Sequence, residues 1–230
     1  MQKVLEFDDC VHGMLLYAND AEQRAVSADF VRQGLKRNQG VVYVADRSGK
    51  RALHQLAVEL RGNIPSSSGL LQVLSSFDVY LIGRVFDPER TCAKWKELVR
   101  DIVAEGFSEV RLTGEMGWAL RGFPHSERLL EYEAAVVGAL KELPIKALCQ
   151  YDMRRFPSEC ISAIMDAHPH VVLKGKLHAI KQHFFRQEEV KINGLGGGCV
   201  LCENRVTEPT GNAACNCLSP CRRQYWSARK

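Results

Sequence analysis

Residues 144–156, PIKALCQYDMRRF, decide how the chain is read. Pro144 cannot continue a preceding helix. Ile145, Ala147 and Leu148 then form a short apolar run that ends in Cys149-Gln150-Tyr151-Asp152. A short buried strand closing on polar and reactive side chains is how an open α/β sheet builds a ligand site, because residues past its carboxyl end face the crevice.

The same pattern recurs on either side. His12–Tyr17, Val41–Ala45, Leu70–Leu74, Val110–Thr113 and Val171–Leu173 read as further strands of nearly continuous apolar character. Between them lie helical patterns with recognisable starts: Asn19-Asp20 before Ala21-Glu22, Ser48 before a helix to Leu60, and Asp87-Pro88-Glu89 before a helix ending near Gly106. Gly34 and Gly40 mark the end of the first helix and the turn beyond it. Pro124–Leu143 reads as an amphipathic helix, Pro157 and Ser158 begin one that runs to Ala167, and Leu177–Val190 reads as another. Phe77–Phe86 reads as a connection with some extended structure. Strands alternating with single crossover helices predict an α/β fold, a mostly parallel sheet with helices on both faces. Residues 1–192 form that domain, and the glycine-rich KINGLGGG run opens a linker and cysteine-rich segment over 193–230.

Bulk properties narrow the function. The 230 residues carry a net charge of +4, and Arg222, Arg223, Arg229 and Lys230 at the very end equal that excess. The main domain is formally neutral, so it lacks the basic face expected of direct nucleic-acid binding. No apolar run is long enough for a membrane span, and MQKVLEFDDC is not a secretory leader, which together predict a cytoplasmic protein. A phosphate loop is absent too. Tyr17-Ala18-Asn19-Asp20 offers no glycine, no lysine and no serine or threonine hydroxyl for magnesium, and Asp20 and Glu22 would repel phosphate, so no nucleotide is expected.

Seven residues at or just after the strand ends make up the candidate ligand site: Tyr17, Arg111, Glu115, Trp118, Cys149, Tyr151 and Asp152. Each also has a structural reading, the aromatics as core and Arg111 as an internal partner of Glu115 or Asp152. Cys149 could act as a nucleophile if His12 or His168 lay beside it, although a buried thiol is usually inert. His168 precedes Pro169 at a helix end, where a capping role also suits it. A second candidate is the tail. Cys199 and Cys202 form a CxxC pair, and Cys215, Cys217 and Cys221 supply three more thiols, enough for a Cys₄ zinc site with an iron–sulfur centre as the alternative.

Several of these residues together resemble a known family. His12-Gly with Leu16-Tyr17, Gly34-Leu35 before VVYVA, and Arg111 with Gly114-Glu115-Met116-Gly117-Trp118 are similar to the MEDS domain, the methanogen/methylotroph and DcmR sensory domain. Glu131 or Glu133, Leu148-Cys149-Gln150-Tyr151-Asp152 with Phe156, and His168-Pro169 complete the set over about residues 8–180. The resemblance implies a RecA/KaiC-like core that has lost its phosphate loop. It also implies a sensory role for a small, one-carbon or hydrocarbon-derived ligand. The tail lies outside that pattern. No helix-turn-helix or kinase module is evident, so output would pass to a separate regulator or kinase, with a homodimer also compatible. The alternatives are a thiol-dependent enzyme using Cys149 and a metal or redox switch centred on the tail. The sequence favours a non-catalytic sensor.

Overall fold

The computed structural model describes residues 7, 11–46, 49–60, 69–141 and 143–180. In chain order these form β1 (His12–Tyr17), α1 (Asp20–Lys36), β2 (Gly40–Ala45), α2 (Gly49–Glu59), β3 (Leu70–Ser75) and the short α3 (Ser76–Val79). There follow α4 (Pro88–Ala104), β4 (Val110–Glu115), α5 (Leu129–Leu140), β5 (Ile145–Asp152), α6 (Ser158–Met165), β6 (His170–Leu173) and β7 (Lys176–Ala179). Three short 3₁₀ turns, Ile82–Arg84, Met116–Arg121 and Ser126–Arg128, fill the connections.

The seven strands form one sheet in the order β3-β2-β4-β5-β1-β6-β7. All pairs are parallel except β6–β7. Side chains alternate between the faces along each strand. Leu15, Leu148 and Val172 meet Val26 and Phe30 of α1, while Val41, Tyr43 and Ala45 meet α1 and α2. Met14, Leu16, Val42, Val44, Leu112 and Cys149 face the other way, into the larger core under α4, α5 and α6.

The helix starts follow local chemistry. Asn19 Oδ1 accepts the Glu22 amide at 2.9 Å, and Glu22 returns a carboxylate to the Ala18 amide at 3.0 Å. Asp87 accepts the Arg90 amide at 2.9 Å with Pro88 in the first turn.

Several expectations are corrected. β5 runs through Cys149, Gln150 and Tyr151 to Asp152, so those residues belong to the strand and do not follow it. Gly34 lies inside α1, which continues to Lys36. Phe77–Phe86 holds the end of α3 and a 3₁₀ turn with no strand. The helix read from Pro124 begins only at Leu129. The stretch read as a helix from Leu177 begins as β7 instead. Lys174 and Gly175 both take positive φ, 49° and 67°, and form a two-residue turn that folds β7 back on β6. Residues 181–192 and the whole 193–230 segment, with its zinc expectation at Cys199, Cys202, Cys215, Cys217 and Cys221, lie outside the described residues.

Candidate functional site

The seven predicted site residues separate into three groups. Tyr17, Glu115 and Asp152 are the last residues of β1, β4 and β5 and gather at the carboxyl edge of the sheet. β2 and β4 are neighbours whose connections leave for opposite faces, α2 beside α1 and α5 on the other side, which is where open α/β sheets form their crevice. Glu115 sits there, accepting the Tyr43 hydroxyl at 2.6 Å and the Asp46 amide at 2.9 Å. Burial, with the Asp46 charge, pushes the Glu115 carboxyl up against the lowering effect of those two donors. Burial also raises the Tyr17 phenol, with the Asp152 and Glu115 charges adding to it. Asp152 is clamped by Arg154, whose guanidinium reaches both carboxylate oxygens at 2.8 and 2.7 Å. Arg154 also pairs with Asp20, which ties β5 to the start of α1.

Arg111 is placed elsewhere. As the second residue of β4 it lies toward the amino end, under α1, and is fully buried. Its Nε donates to Gln39 Oε1 at 2.7 Å and its guanidinium lies 5.0 Å from the Phe30 ring centre.

Trp118, Cys149 and Tyr151 face the opposite side of the sheet, in the core under α4–α6. Trp118 stacks on Tyr80 at 5.0 Å and meets Phe86 at 4.5 Å. Cys149 and Tyr151 belong to a polar cluster inside this apolar core. Its other members are His12, Glu133 and His168, and every one is buried. Cys149 Sγ and Glu133 Oε2 both lie 3.5 Å from His12 Nε2. His168 Nε2 is 3.4 Å from the same Glu133 oxygen, and Cys149 Sγ is 3.9 Å from it. The Tyr151 hydroxyl donates to the other oxygen, Glu133 Oε1.

Strand register explains the gathering. Parallel pairing sets Met14 beside Cys149 and Gly13 beside His170, which brings His12, β5 and the α6–β6 connection together. α5 supplies the carboxylate. Its buried stripe is Leu129, Tyr132, Glu133, Val136 and Leu140, and Glu133 lies on that stripe. Glu131 points away and pairs with Arg128, so of the two glutamates only Glu133 faces the core. His168 Nδ1 lies 2.9 Å from the Ile164 carbonyl, so the expected helix-capping contact is present. Burial, then the neighbouring His12, lowers His168 to about 4, so its imidazole stays neutral near pH 7.

Sequence alone makes His12 and His168 possible partners of Cys149, but nothing in it places either within reach. For Glu133 the helical period was the available signal: a lone acid on an otherwise apolar stripe.

Next to the cluster is a cavity of about 10 Å³, lined by Tyr80, Trp95, Leu112, Tyr132 and Val136 together with His12 and Cys149. Its lining is mostly aromatic and aliphatic, with one imidazole and one thiol among it.

The fold and cluster define an α/β domain with a buried polar centre under its helical layer and no phosphate loop between β1 and α1. The family model for the MEthanogen/methylotroph, DcmR Sensory domain matches residues 11–169, and the chain belongs to this MEDS family. It is similar to the transcriptional repressor DcmR of Methylorubrum extorquens (strain DSM 6343 / CIP 106787 / DM4), with 24% identity over 162 residues. That match covers 68% of this chain and 57% of the relative, so the chain spans little more than half of the repressor's length. Among solved structures, the KaiC-like protein PH0186 from Pyrococcus horikoshii OT3 is similar at 11% identity and a TM-score of 0.49, over 69% of this chain and 70% of that one. No helix among the described residues is long and apolar enough to cross a membrane.

Proposed function

We propose that this MEDS domain is the input element of a regulatory system, taking up a small one-carbon or hydrocarbon-derived molecule and passing the signal to a separate output protein. The observation that carries this reading is the aromatic-lined cavity that has His12 and Cys149 in its wall. An apolar wall with a few convergent polar groups is how proteins hold small organic ligands.

At about 10 Å³ the cavity holds no more than a water, so an organic ligand must move its walls. The most direct route is outward displacement of α5, which contributes Tyr132, Val136 and Leu140 to the lining. A ligand that is accommodated only in the displaced state shifts the population toward it, and that shift is the signal.

The test is thermal unfolding of the full chain with chlorinated methanes, short alcohols and short aldehydes, repeated on Val136→Ala and Glu115→Gln. The reading expects at least one class to raise the melting temperature. Val136→Ala should strengthen the effect by enlarging the cavity, and Glu115→Gln should leave it unchanged. No shift with any class would sink the reading, and a shift lost only in Glu115→Gln would move the ligand to the carboxyl-edge crevice. A thiol-dependent reaction at Cys149 is the second reading, favoured by the 3.5 Å contact with His12. It requires Cys149 to alkylate faster at pH 7 than Cys160, the more exposed thiol.

A further inference from the structure

Cys149, His12 and Glu133 invite comparison with a catalytic triad, but their geometry does not relay a proton. In a relay the nucleophile sits at one imidazole nitrogen and the acid at the other. Here the thiol and the carboxylate both approach the same nitrogen, His12 Nε2, at 3.5 Å each, and His12 Nδ1 makes no hydrogen bond among the described residues. His168 Nε2 comes to the same carboxylate oxygen from another side. The four side chains converge on a point.

We propose that His12 Nε2, Glu133 Oε2, Cys149 Sγ and His168 Nε2 form a buried four-coordinate site for a first-row divalent transition-metal ion. Four of the six separations between these atoms run from 3.4 to 3.9 Å, and all four atoms lie within 4.8 Å of one another. A tetrahedral zinc-like ion with bonds of about 2.0–2.3 Å sets its ligands roughly 3.3–3.8 Å apart, so the site needs only modest contraction. Two imidazoles, a thiolate and a carboxylate suit zinc and its neighbours and are a poor match for magnesium or calcium.

The surroundings fit the same reading. His168 Nδ1 faces the Ile164 carbonyl, a contact that fixes its proton there and leaves the Nε2 lone pair directed at the cluster. Among the described residues that Nε2 has no hydrogen-bond partner, only the 3.4 Å approach to Glu133 Oε2, although His168 is only 2% exposed. The Tyr151 hydroxyl holds Glu133 Oε1, which turns Oε2 toward the shared point. Among the described residues no lysine or arginine pairs with Glu133, so a bound cation would supply the charge that this fully buried carboxylate lacks. Metal uptake would release the Cys149 thiol proton to solvent and form the metal–sulfur bond in its place. This inference goes beyond the ligand reading and stands whether or not an organic molecule enters the cavity.

The test uses the full chain with Cys199, Cys202, Cys215, Cys217 and Cys221 all replaced by serine, so that tail thiols cannot contribute. The protein is loaded with zinc or cobalt(II) and dialysed, then assayed for metal content and, with cobalt, for absorption. One equivalent is expected to remain, with the visible bands of tetrahedral cobalt and a near-ultraviolet thiolate charge-transfer band. His168→Gln should lower the affinity at least tenfold, and Cys149→Ser should abolish the charge-transfer band while the serine background alone does not. No retained metal in the serine-substituted chain, or octahedral cobalt without the thiolate band, would overturn the proposal. Those two readouts need no change to the four ligands, so a variant that fails to fold cannot rescue it. A ligand-induced thermal shift in protein that binds no metal would refute the metal site and leave the sensory reading in place.

Discussion

Gly114, in β4, lies directly under the phenol of Tyr80, and a methyl group there tests the packing that shapes the cavity. A Cβ at position 114 would sit 2.1 Å from the Tyr80 hydroxyl and 3.1 Å from its Cζ. The ring has little room to retreat. It is stacked on Trp118 at 5.0 Å and meets Trp95 and Tyr132 edge-on at 5.9 and 6.1 Å. Replacing a strand glycine gains about 0.5–1 kcal/mol in backbone entropy, whereas overpacking a rigid core costs roughly 1–3 kcal/mol and occasionally more. The clash wins, and Gly114→Ala should destabilise by about 2 kcal/mol. With a urea slope near 2 kcal/mol/M, the midpoint should fall by about 1 M. The overlap is almost entirely with the hydroxyl, so Tyr80→Phe should rescue Gly114→Ala, although on its own it should cost about 1 kcal/mol. A double-mutant cycle by urea denaturation should return a coupling of at least about 1 kcal/mol in the rescuing direction. Wild-type stability in Gly114→Ala, or simple additivity with Tyr80→Phe, would refute the reasoning.

Three further outcomes follow from other parts of the structure. Burial holds the Glu115 carboxyl above its ordinary value, so folding favours its protonated form. The resulting stability is complete below the unfolded-state value near 4.3 and is lost as pH rises through the higher folded value. Glu115→Gln, still able to accept from Tyr43, should therefore gain in urea midpoint over wild type as pH rises from about 4 towards neutrality; a constant difference over that rise would contradict it. Arg111→Ala removes a fully buried guanidinium and leaves Gln39 without its donor. It should destabilise by about 3 kcal/mol or more in the same assay while leaving metal stoichiometry unchanged. Gly175→Ala, with open space around it but φ at 67°, should cost about 1 kcal/mol and speed amide exchange in β7. Unchanged exchange would mean that the β6–β7 turn is not formed as described.

Much of the sheet was legible because a strand covered on both faces leaves a plain apolar run. His12–Tyr17 and Val41–Ala45 were read almost to the residue. The error at β5 had the opposite cause. Cys149, Gln150 and Tyr151 looked like residues past a strand end because they are polar. In the fold each meets a polar partner: Cys149 lies 3.5 Å from His12, Gln150 reaches Gln23 and Ser27 of α1 and Thr113 of β4, and Tyr151 reaches Glu133 of α5. β7 was hidden because its turn depends on Lys174 entering a left-handed conformation that lysine does not announce. The cluster was legible only as separate residues. Its members stand at 12, 133, 149 and 168, on four different elements or connections, and only the strand register brings them within reach. Strand-end logic gathered Tyr17, Glu115 and Asp152 correctly at one edge. It could not tell which face Cys149 and Tyr151 would take, because the period of two fixes that only once the register is known.

Four buried side chains, contributed by three elements and the α6–β6 connection, converge on one metal-sized point. Crystals of the full chain loaded with zinc, with diffraction recorded on both sides of the zinc absorption edge, test it most directly. A single strong anomalous peak is expected among the described residues, about 2.0–2.3 Å from His12 Nε2, Glu133 Oε2, Cys149 Sγ and His168 Nε2. An anomalous map with no peak at that point, while zinc is bound elsewhere or not at all, would contradict it.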